Sequence, residues 1–502
     1  MLVGWDAADW KVIHPLMDEG KMPGLKSLVE RGTMANLATL QPPLSPMLWT
    51  SISTGKRPFK HGIHGFSEPA PDGSHIRPMT TISRRTKAIW NILTQNDLSS
   101  NIVGWWPSNP VEPIKGAMVS NLFQLAVGPP EKPWPVRSGS VHPPELTEAL
   151  AELRLNPNEL DGGHILPFVP RGLEIDQEKD RRIASVAKIL AECTSVHAVA
   201  TWLMQNQPWD FMAVYYDAID HFCHGFMKYH PPRQEHIPDE DFELYREVVT
   251  GGYRYHDMML SVLLELAGPD TTVIVMSDHG FHPDHLRPKT IPAEPAGPAA
   301  EHRDLGIFVM AGPGIREDAW IAGPNLLDIA PTILTLYGLP VGEDMDGKPI
   351  VDAFEEPPTV ETIPSWDEVE GEAGTHSPDL ELDPDESREA INQLVALGYI
   401  DAPDENREVA LAQTVRELQY NLAQSYMDDA RHAAAATILE ELYRQWPNEH
   451  RFGVRLASAY LALERIADLR AVVEDLSTRR KEDAEEARNE FLEFRERIKA
   501  RI

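Results

Sequence analysis

TVIVMSDHGF, residues 272–281, carries five apolar or β-branched residues straight into Ser277-Asp278-His279-Gly280. A continuous apolar run of this length is the pattern of a strand covered on both faces, as in a largely parallel sheet. Its abrupt end places a carboxylate and an imidazole side by side at the carboxyl edge of the strand. Adjacent Asp and His can ligate one ion from a single loop, and Gly280 is expected to let the backbone turn away at once.

Similar runs lie on both sides of it, at Leu2–Trp5, Asn101–Trp105, Phe211–Tyr215 and Gly306–Met310. Helical patterns fall between them, at Pro23–Arg31, Lys87–Gln95, Asp180–Gln205, Asp241–Ala267 and Leu326–Tyr337. This alternation predicts an α/β fold, a layered sheet with helices on both faces. Ligands in such sheets bind at the carboxyl ends of the strands. The Pro-rich stretch Trp106–Arg171 reads as an irregular insertion or cap near the substrate side.

The chain has 502 residues, 42% of them hydrophobic and 25% charged, enough apolar material for a large core. Its net charge of −32 argues against a general nucleic-acid binder, which needs excess Lys and Arg. A small phosphorylated substrate stays open, because bound metal ions can dominate local charge. No apolar run reaches a membrane span's length, and MLVGWDAADW does not read as a signal peptide. Two cysteines, Cys193 and Cys223, exclude a disulfide framework and point to a reducing, cytoplasmic compartment.

The expected domains are 1–352, an acidic linker 353–386 and a helical region 387–502. From Asp352 to Glu386 there are 13 Asp or Glu and no Lys or Arg, with scattered Pro, Gly and Ser. That composition reads as a solvated linker. Beyond it, Leu422-Ala423-x-x-Tyr426 recurs as Leu456-Ala457-x-x-Tyr460, offset by 34, and Ile438, Leu439 and Leu442 recur as Val472, Val473 and Leu476. This period resembles the tetratricopeptide repeat and implies a small all-α repeat domain with a protein partner. Two units fall short of the usual three, so helices around Asn392–Tyr399 or after Lys481 are expected to complete the stack, unless it docks on the first domain.

Other chemically suggestive residues lie near the remaining strand ends. Asp6 follows the first run, where an N-cap is an equally good reading. Only five residues precede it, which is short for a central strand and suggests a start further upstream. PPLSPMLWTSISTGKRPFKHGIHGF, residues 42–66, puts Ser45 in a tight turn at a helix start, as a cap or as a nucleophile facing an anion. Asp220 and His224 are four apart, on one face of a helix, and suit a divalent metal; Asp217 and His221 stand close by. His302 precedes the last strand.

Asp, Ser, Asp, His, Asp, His and His in this order resemble the alkaline phosphatase superfamily, and most closely its type I phosphodiesterase/nucleotide pyrophosphatase branch. The resemblance spans about residues 1–350 and implies an alkaline-phosphatase-like sheet with two metal sites. One would hold Asp220, His224 and His302. The other would hold Asp6, Asp278 and His279, with the Ser45 oxygen. It implies two divalent ions, zinc with manganese as an alternative, which would activate the serine oxygen and clamp an in-line displacement. The implied reaction is hydrolysis of phosphate esters, diesters foremost, through a phosphoseryl intermediate on Ser45.

Two departures matter. The family usually has a Thr nucleophile, and an Asn shortly after the HGI motif, where this chain has Phe66. Lys56, with Arg57, Lys60, His61 and His64, is a candidate to replace that contact, and Phe66 to wall the substrate site. Sulfate ester or phosphonate hydrolysis is an alternative, although Ser45-Pro46-Met47-Leu48-Trp49 lacks the sulfatase C/S-x-P-x-R pattern. An inactive hydrolase scaffold is another, although all seven ligand positions are filled.

Overall fold

The computed structural model describes residues 1–125, 134–377, 380, 384–396 and 400–479. The chain divides into two compact units, Met1–Pro403 and Asp404–Ile502.

The first unit is built on a nine-stranded sheet. Its strands are β1 (Leu2–Trp5), β2 (Gly32–Ala38), β3 (Ser100–Val103), β4 (Gly116–Val119), β5 (Val141–His142), β6 (Phe211–Tyr216), β7 (Val273–Met276), β8 (Leu305–Ala311) and β9 (Ala319–Trp320). They lie in the order β9-β2-β8-β7-β1-β6-β3-β4-β5. The five central strands, β7-β1-β6-β3-β4, are all parallel. β8 runs antiparallel to both β7 and β2. The fold is the alkaline-phosphatase-like layered sheet that the alternation and the resemblance together implied.

Both faces of the sheet are covered at its centre, so the central strands feed two cores. Val3, Val214, Val275 and Val309 face one; Leu2, Ala213, Ile274 and Met310 face the other. Each fully buried Val or Ile contributes about 1.5–3 kcal/mol of transfer free energy, which explains why these runs are apolar throughout. The first core is closed by helices α2 (Arg182–Asn206) and α4 (Val248–Ala267). α2 is long and apolar enough to cross a membrane by length and composition, but its most apolar window is 61% buried in this core. The second core is closed by α1 (Ser45–Thr54), every residue of which is buried.

Two expectations need correction. The stretch after Trp106 is not wholly irregular, because β4 and β5 lie within it and extend the sheet. Gly116–Val119 is only four residues long among Pro-rich flanks, too short for an apolar run to stand out. The described part of the acidic stretch, expected as a solvated linker, is exposed at most positions but packed around Trp366. Trp366 is buried with Ile92, Leu334, Val341 and Met345. Asp367 and Asp344 receive the Lys56 ammonium, at 2.6 and 2.5 Å. α5 (Pro384–Ala396) likewise belongs to the first unit. The burial of Trp366 and the Lys56–Asp367 ion pair anchor this segment despite its acidic composition.

Among the described residues the second unit is a succession of four helices, α6 (Arg407–Asp428), α7 (His432–Gln445), α8 (His450–Ala462) and α9 (Ile466–Arg479), each in contact with the next. Ala423 and Ala457, which match at the 34-residue offset, are both fully buried. So is Leu439, while Val473 packs on the same core. The segment after Lys481, expected to complete a stack, lies outside the described residues, and so does Tyr399.

Candidate metal centre and nucleophile

β1, β6 and β7 are neighbours in the sheet and end at the same edge, so Asp6, the Asp217–His224 segment and Asp278-His279 converge there. Asp220 and His224 lie on α3 (Ala218–Phe226), one turn apart. His302 arrives from across the sheet on a two-residue strand, His302–Arg303, paired with Gly280–Phe281. Gly280 serves this pairing by its size rather than by a special backbone angle. A Cβ there would meet Asp9 Oδ2 at 2.3 Å and the Leu305 carbonyl at 2.5 Å. Gly4 is small for a similar reason, since a Cβ would strike the Trp49 ring at 2.4 Å.

The ligand candidates form two groups, Asp220–His224–His302 and Asp6–Asp278–His279. In the first, His224 Nε2 lies 3.2 Å from Asp220 Oδ1 and 3.1 Å from His302 Nε2, while His302 Nε2 lies 3.6 Å from Asp220 Oδ1. The outer ring nitrogens are occupied. His224 Nδ1–H donates to Glu301 Oε2 at 2.8 Å, and His302 Nδ1–H donates to the Pro43 carbonyl at 3.3 Å. In the second, His279 Nδ1–H donates to the Gly280 carbonyl at 3.0 Å, which turns Nε2 toward Asp6 Oδ1 at 3.3 Å and Asp278 Oδ2 at 3.6 Å. The rings of His279 and His302 stack at 3.7 Å and bring the groups together.

Asp6 and Asp278 are each held by one oxygen and leave the other bare. Asp6 Oδ2 accepts from Tyr215 Oη at 2.6 Å and from Trp49 Nε1 at 3.2 Å. Asp278 Oδ1 accepts from the N–H groups of His279 and Ala7. Asp6 Oδ1, Asp220 Oδ1, Asp278 Oδ2 and His279 Nε2 are buried with no hydrogen-bond partner among the described residues. Four buried acceptors left bare at one edge are costly unless a cation lies among them. Mixed carboxylate and imidazole ligands fit divalent zinc or manganese.

The electrostatics agree. Burial and the neighbouring Asp220 push the Asp6 carboxyl up; burial and Asp6 push Asp278 well up. Burial works to lower His224, but the Asp220 and Glu301 carboxylates overcome it and hold His224 at about 10. Burial and the adjacent His279 push His302 well down. Burial works to raise Asp220, but His224 and His302 overcome it and hold its carboxyl low, so the charge left unneutralised is that of the Asp6–Asp278 pair.

Ser45 is the first residue of α1 and lines a cavity of about 30 Å³ with Asp220, His224, His302 and Phe66. Phe66 forms an apolar wall, its ring edge-on to Trp106 at 5.5 Å. Lys56 does not line this cavity, and its side chain is 3% exposed and bound to Asp344 and Asp367. Two other residues of its block are also engaged elsewhere: Lys60 with Asp346, and His64, which burial pushes down to about 4, with the Pro58 carbonyl. Lys56 is therefore a structural anchor rather than a substrate contact.

Glu301 was not among the sequence candidates, although it directly precedes His302. Nor was Asp9, which accepts from Arg303 Nη1 at 2.5 and 2.6 Å and from the Phe281 N–H at 3.1 Å, tying the strand of His302 to the loop of Asp6. The EHRD run was the available signal, since its Glu and Arg flank a candidate ligand.

The family model of type I phosphodiesterase/nucleotide pyrophosphatase matches residues 1–300. No protein of curated function matches the sequence. Among solved structures, human ectonucleotide pyrophosphatase/phosphodiesterase 5 is similar at 12% identity and TM-score 0.38, over 71% of this chain and 99% of its own. The 2-O GAG sulfatase BT1596 is similar at 12% identity and TM-score 0.41, over 70% and 73%. Phosphonoacetate hydrolase from Sinorhizobium meliloti 1021 is similar at 17% identity and TM-score 0.33, over 56% and 55%. Likeness at this level says nothing about the reaction.

Proposed function

The chain belongs to the type I phosphodiesterase/nucleotide pyrophosphatase family, a branch of the alkaline phosphatase superfamily of hydrolases, and from that premise we propose that it hydrolyses phosphodiesters through a phosphoseryl intermediate on Ser45. The observation that carries this reading is the set of bare buried acceptors on Asp6, Asp220, Asp278 and His279, gathered at the sheet edge where Ser45 opens α1. Asp220, His224 and His302 would hold one divalent ion, and Asp6, Asp278 and His279 the other, as members of this family are metal-dependent. Bound there, the ions would supply positive charge that lowers the pKa of a serine hydroxyl and offsets the charge developing on phosphorus.

The chain's own residues do the rest. Ser45 attacks phosphorus in line and the alcohol leaves; water then attacks the phosphoserine and restores Ser45. At the start of α1 only the Ser45 N–H would face a phosphoryl oxygen, since Pro46 has no N–H and the Met47 and Leu48 N–H groups donate to the Leu44 carbonyl. Trp49 and Tyr215 hold Asp6 in one orientation, and Glu301 does the same for His224. Phe66 puts an apolar wall where a monoester's extra charged oxygen would need a donor, which favours a diester. We read α6–α9 as two tetratricopeptide-like units for protein recognition, supported by the matched buried positions at the 34-residue offset.

The test is turnover of bis-p-nitrophenyl phosphate and p-nitrophenyl phosphate by the zinc- or manganese-loaded chain. The expected result is a higher kcat/KM for the diester, with substrate-derived phosphate trapped on a Ser45 peptide at low pH. A label on another residue, or a preference for the monoester or for an aryl sulfate, would overturn it.

A further inference from the structure

Asp9 does more than cap a helix. Its Oδ1 accepts from the Lys11 N–H at 2.8 Å, the N-cap bond of the helix Trp10–Asp18. The same carboxylate also reaches two other backbones. It receives Arg303 Nη1 on Oδ1 and Oδ2, at 2.6 and 2.5 Å, and the Phe281 N–H on Oδ2 at 3.1 Å. Asp9 stands three residues after Asp6, Phe281 two after His279, and Arg303 directly after His302. One carboxylate therefore gathers the segments that carry Asp6, His279 and His302, which belong to both candidate metal groups.

The surroundings are fitted to this junction. Asp9 is fully buried and the Arg303 side chain is 18% exposed, so little water screens the pair. The Asp9 N–H donates to Tyr253 Oη at 3.1 Å, and Tyr253 is itself buried on α4. Gly280 lies opposite Arg303 in the two-stranded pairing and leaves the space that the Asp9 carboxylate fills. Ala7, between Asp6 and Asp9, sits at φ 63°, an angle that a residue with a Cβ holds only where its surroundings impose it. Its N–H donates to Asp278 Oδ1 at 3.4 Å. The loop after Asp6 is thus pinned to Asp278 at one end and to Arg303 at the other. The stack of His279 on His302 also joins the groups. A ring stack tolerates sliding, whereas a charge-assisted hydrogen bond fixes direction.

We propose that the Asp9–Arg303 pair couples the two groups, so that an ion held by Asp6, Asp278 and His279 sets His302 in place for the other ion. Linkage makes the effect reciprocal, and each ion raises the affinity for its neighbour. Asp9 and Arg303 act here as positioning residues, since neither belongs to a ligand group. The proposal rests on the reading of both groups as metal sites. The test withdraws zinc from the loaded full-length chain with increasing chelator and counts ions per chain by native mass spectrometry. Two uncoupled sites pass through a stage where about half of the chains or more hold one ion; a 10-fold coupling brings that maximum down to about one quarter for sites of like affinity. The wild type should peak near about one quarter. Arg303→Met keeps the apolar stem and removes the charge; Asp9→Asn keeps an acceptor for Lys11 and Phe281 but not the ion pair. Both should raise the maximum to about half or more. Equal maxima in wild type and variants would overturn the coupling even if the variants melt at a lower temperature, because a purely structural role moves Tm alone. A wild-type maximum of half or more would overturn it even if neither variant folds. In both cases the saturated chain still holds two ions and the metal reading stands. A saturated wild type with fewer than two ions would instead sink that reading, and the proposal with it.

Discussion

The imidazole of His224 donates its Nδ1–H to Glu301 Oε2 at 2.8 Å, across 77 residues of sequence. This bond turns Nε2 toward Asp220 and His302, so a residue outside the candidate ligand set fixes the orientation of a candidate ligand. Glu301→Ala should weaken metal binding at the Asp220–His224–His302 group by about 10- to 100-fold. Glu301→Gln retains an acceptor oxygen and should recover most of it. Competition against a chelator measures both, and wild-type affinity in the alanine variant would contradict the positioning role.

Removing a ligand tests the centre directly. Asp278→Ala and His224→Ala should each lower bound metal by about one ion per chain and abolish hydrolysis, because each group loses a donor that the fold cannot replace. Elemental analysis with a rate assay reads both. Full metal content and full rate in either variant would refute that ligand.

Ser45→Ala should separate metal binding from turnover. Asp6, Asp220, His224, Asp278, His279 and His302 all remain, so most of the metal should stay bound while kcat falls by several orders of magnitude, on the scale of about 10⁴ or more seen when a nucleophile is deleted. Near-normal turnover in this variant would rule Ser45 out as nucleophile.

Truncation should distinguish a linker from a packed segment. A chain ending at Pro403 should fold and keep activity, because it contains the whole first unit. A chain ending at Asp352 loses Trp366 from its core and Asp367 from Lys56, whose side chain is 3% exposed. Stripping a partner from a buried cation costs about 3–5 kcal/mol, less here because Asp344 remains. A Tm of the shorter chain equal to that of the longer would show that the segment does not support the fold.

Glu192, on α2, supplies a pH signature outside the candidate ligand set. Burial, with Asp217 as a lesser cause, raises its pKa from 4.5 to about 7. The folded state therefore holds this proton more tightly than the unfolded chain. The contribution of Glu192 to stability is highest below about pH 4.5, falls as pH rises through 7 and is level above that. A shift of this size corresponds to about 3 kcal/mol. Glu192→Gln should gain stability relative to the wild type between pH 5 and pH 8, measured by urea unfolding at both. An equal difference at both pH values would show that Glu192 does not titrate in this range.

The parts of the site carried by one local element were legible. Asp278-His279 share a turn at a strand end, and Asp220 and His224 share one helical turn, so spacing alone brings each pair together. The five apolar strand runs were legible for a similar reason, since burial on both faces leaves no polar position to break them. β4 escaped notice because its four residues lie among prolines.

Ser45, Asp6 and His302 read alone as possible caps or polar loop residues, and only the order of all seven positions marked them as a set. What the sequence determined is therefore the strand pattern, the helix face of Asp220 and His224, and the ordered ligand types, all properties of neighbours along the chain. Tertiary structure alone decided the rest. Lys56 is an anchor because Asp344 and Asp367 return to it from 288 and 311 residues away. Trp366 of the acidic stretch is buried because Ile92, Leu334, Val341 and Met345 meet it in space, and Glu301 orients His224 because β8 runs antiparallel beside β7. Coulomb and hydrogen-bond partners are chosen by distance in space, and no spacing along the chain encodes a distance closed by a nine-stranded sheet.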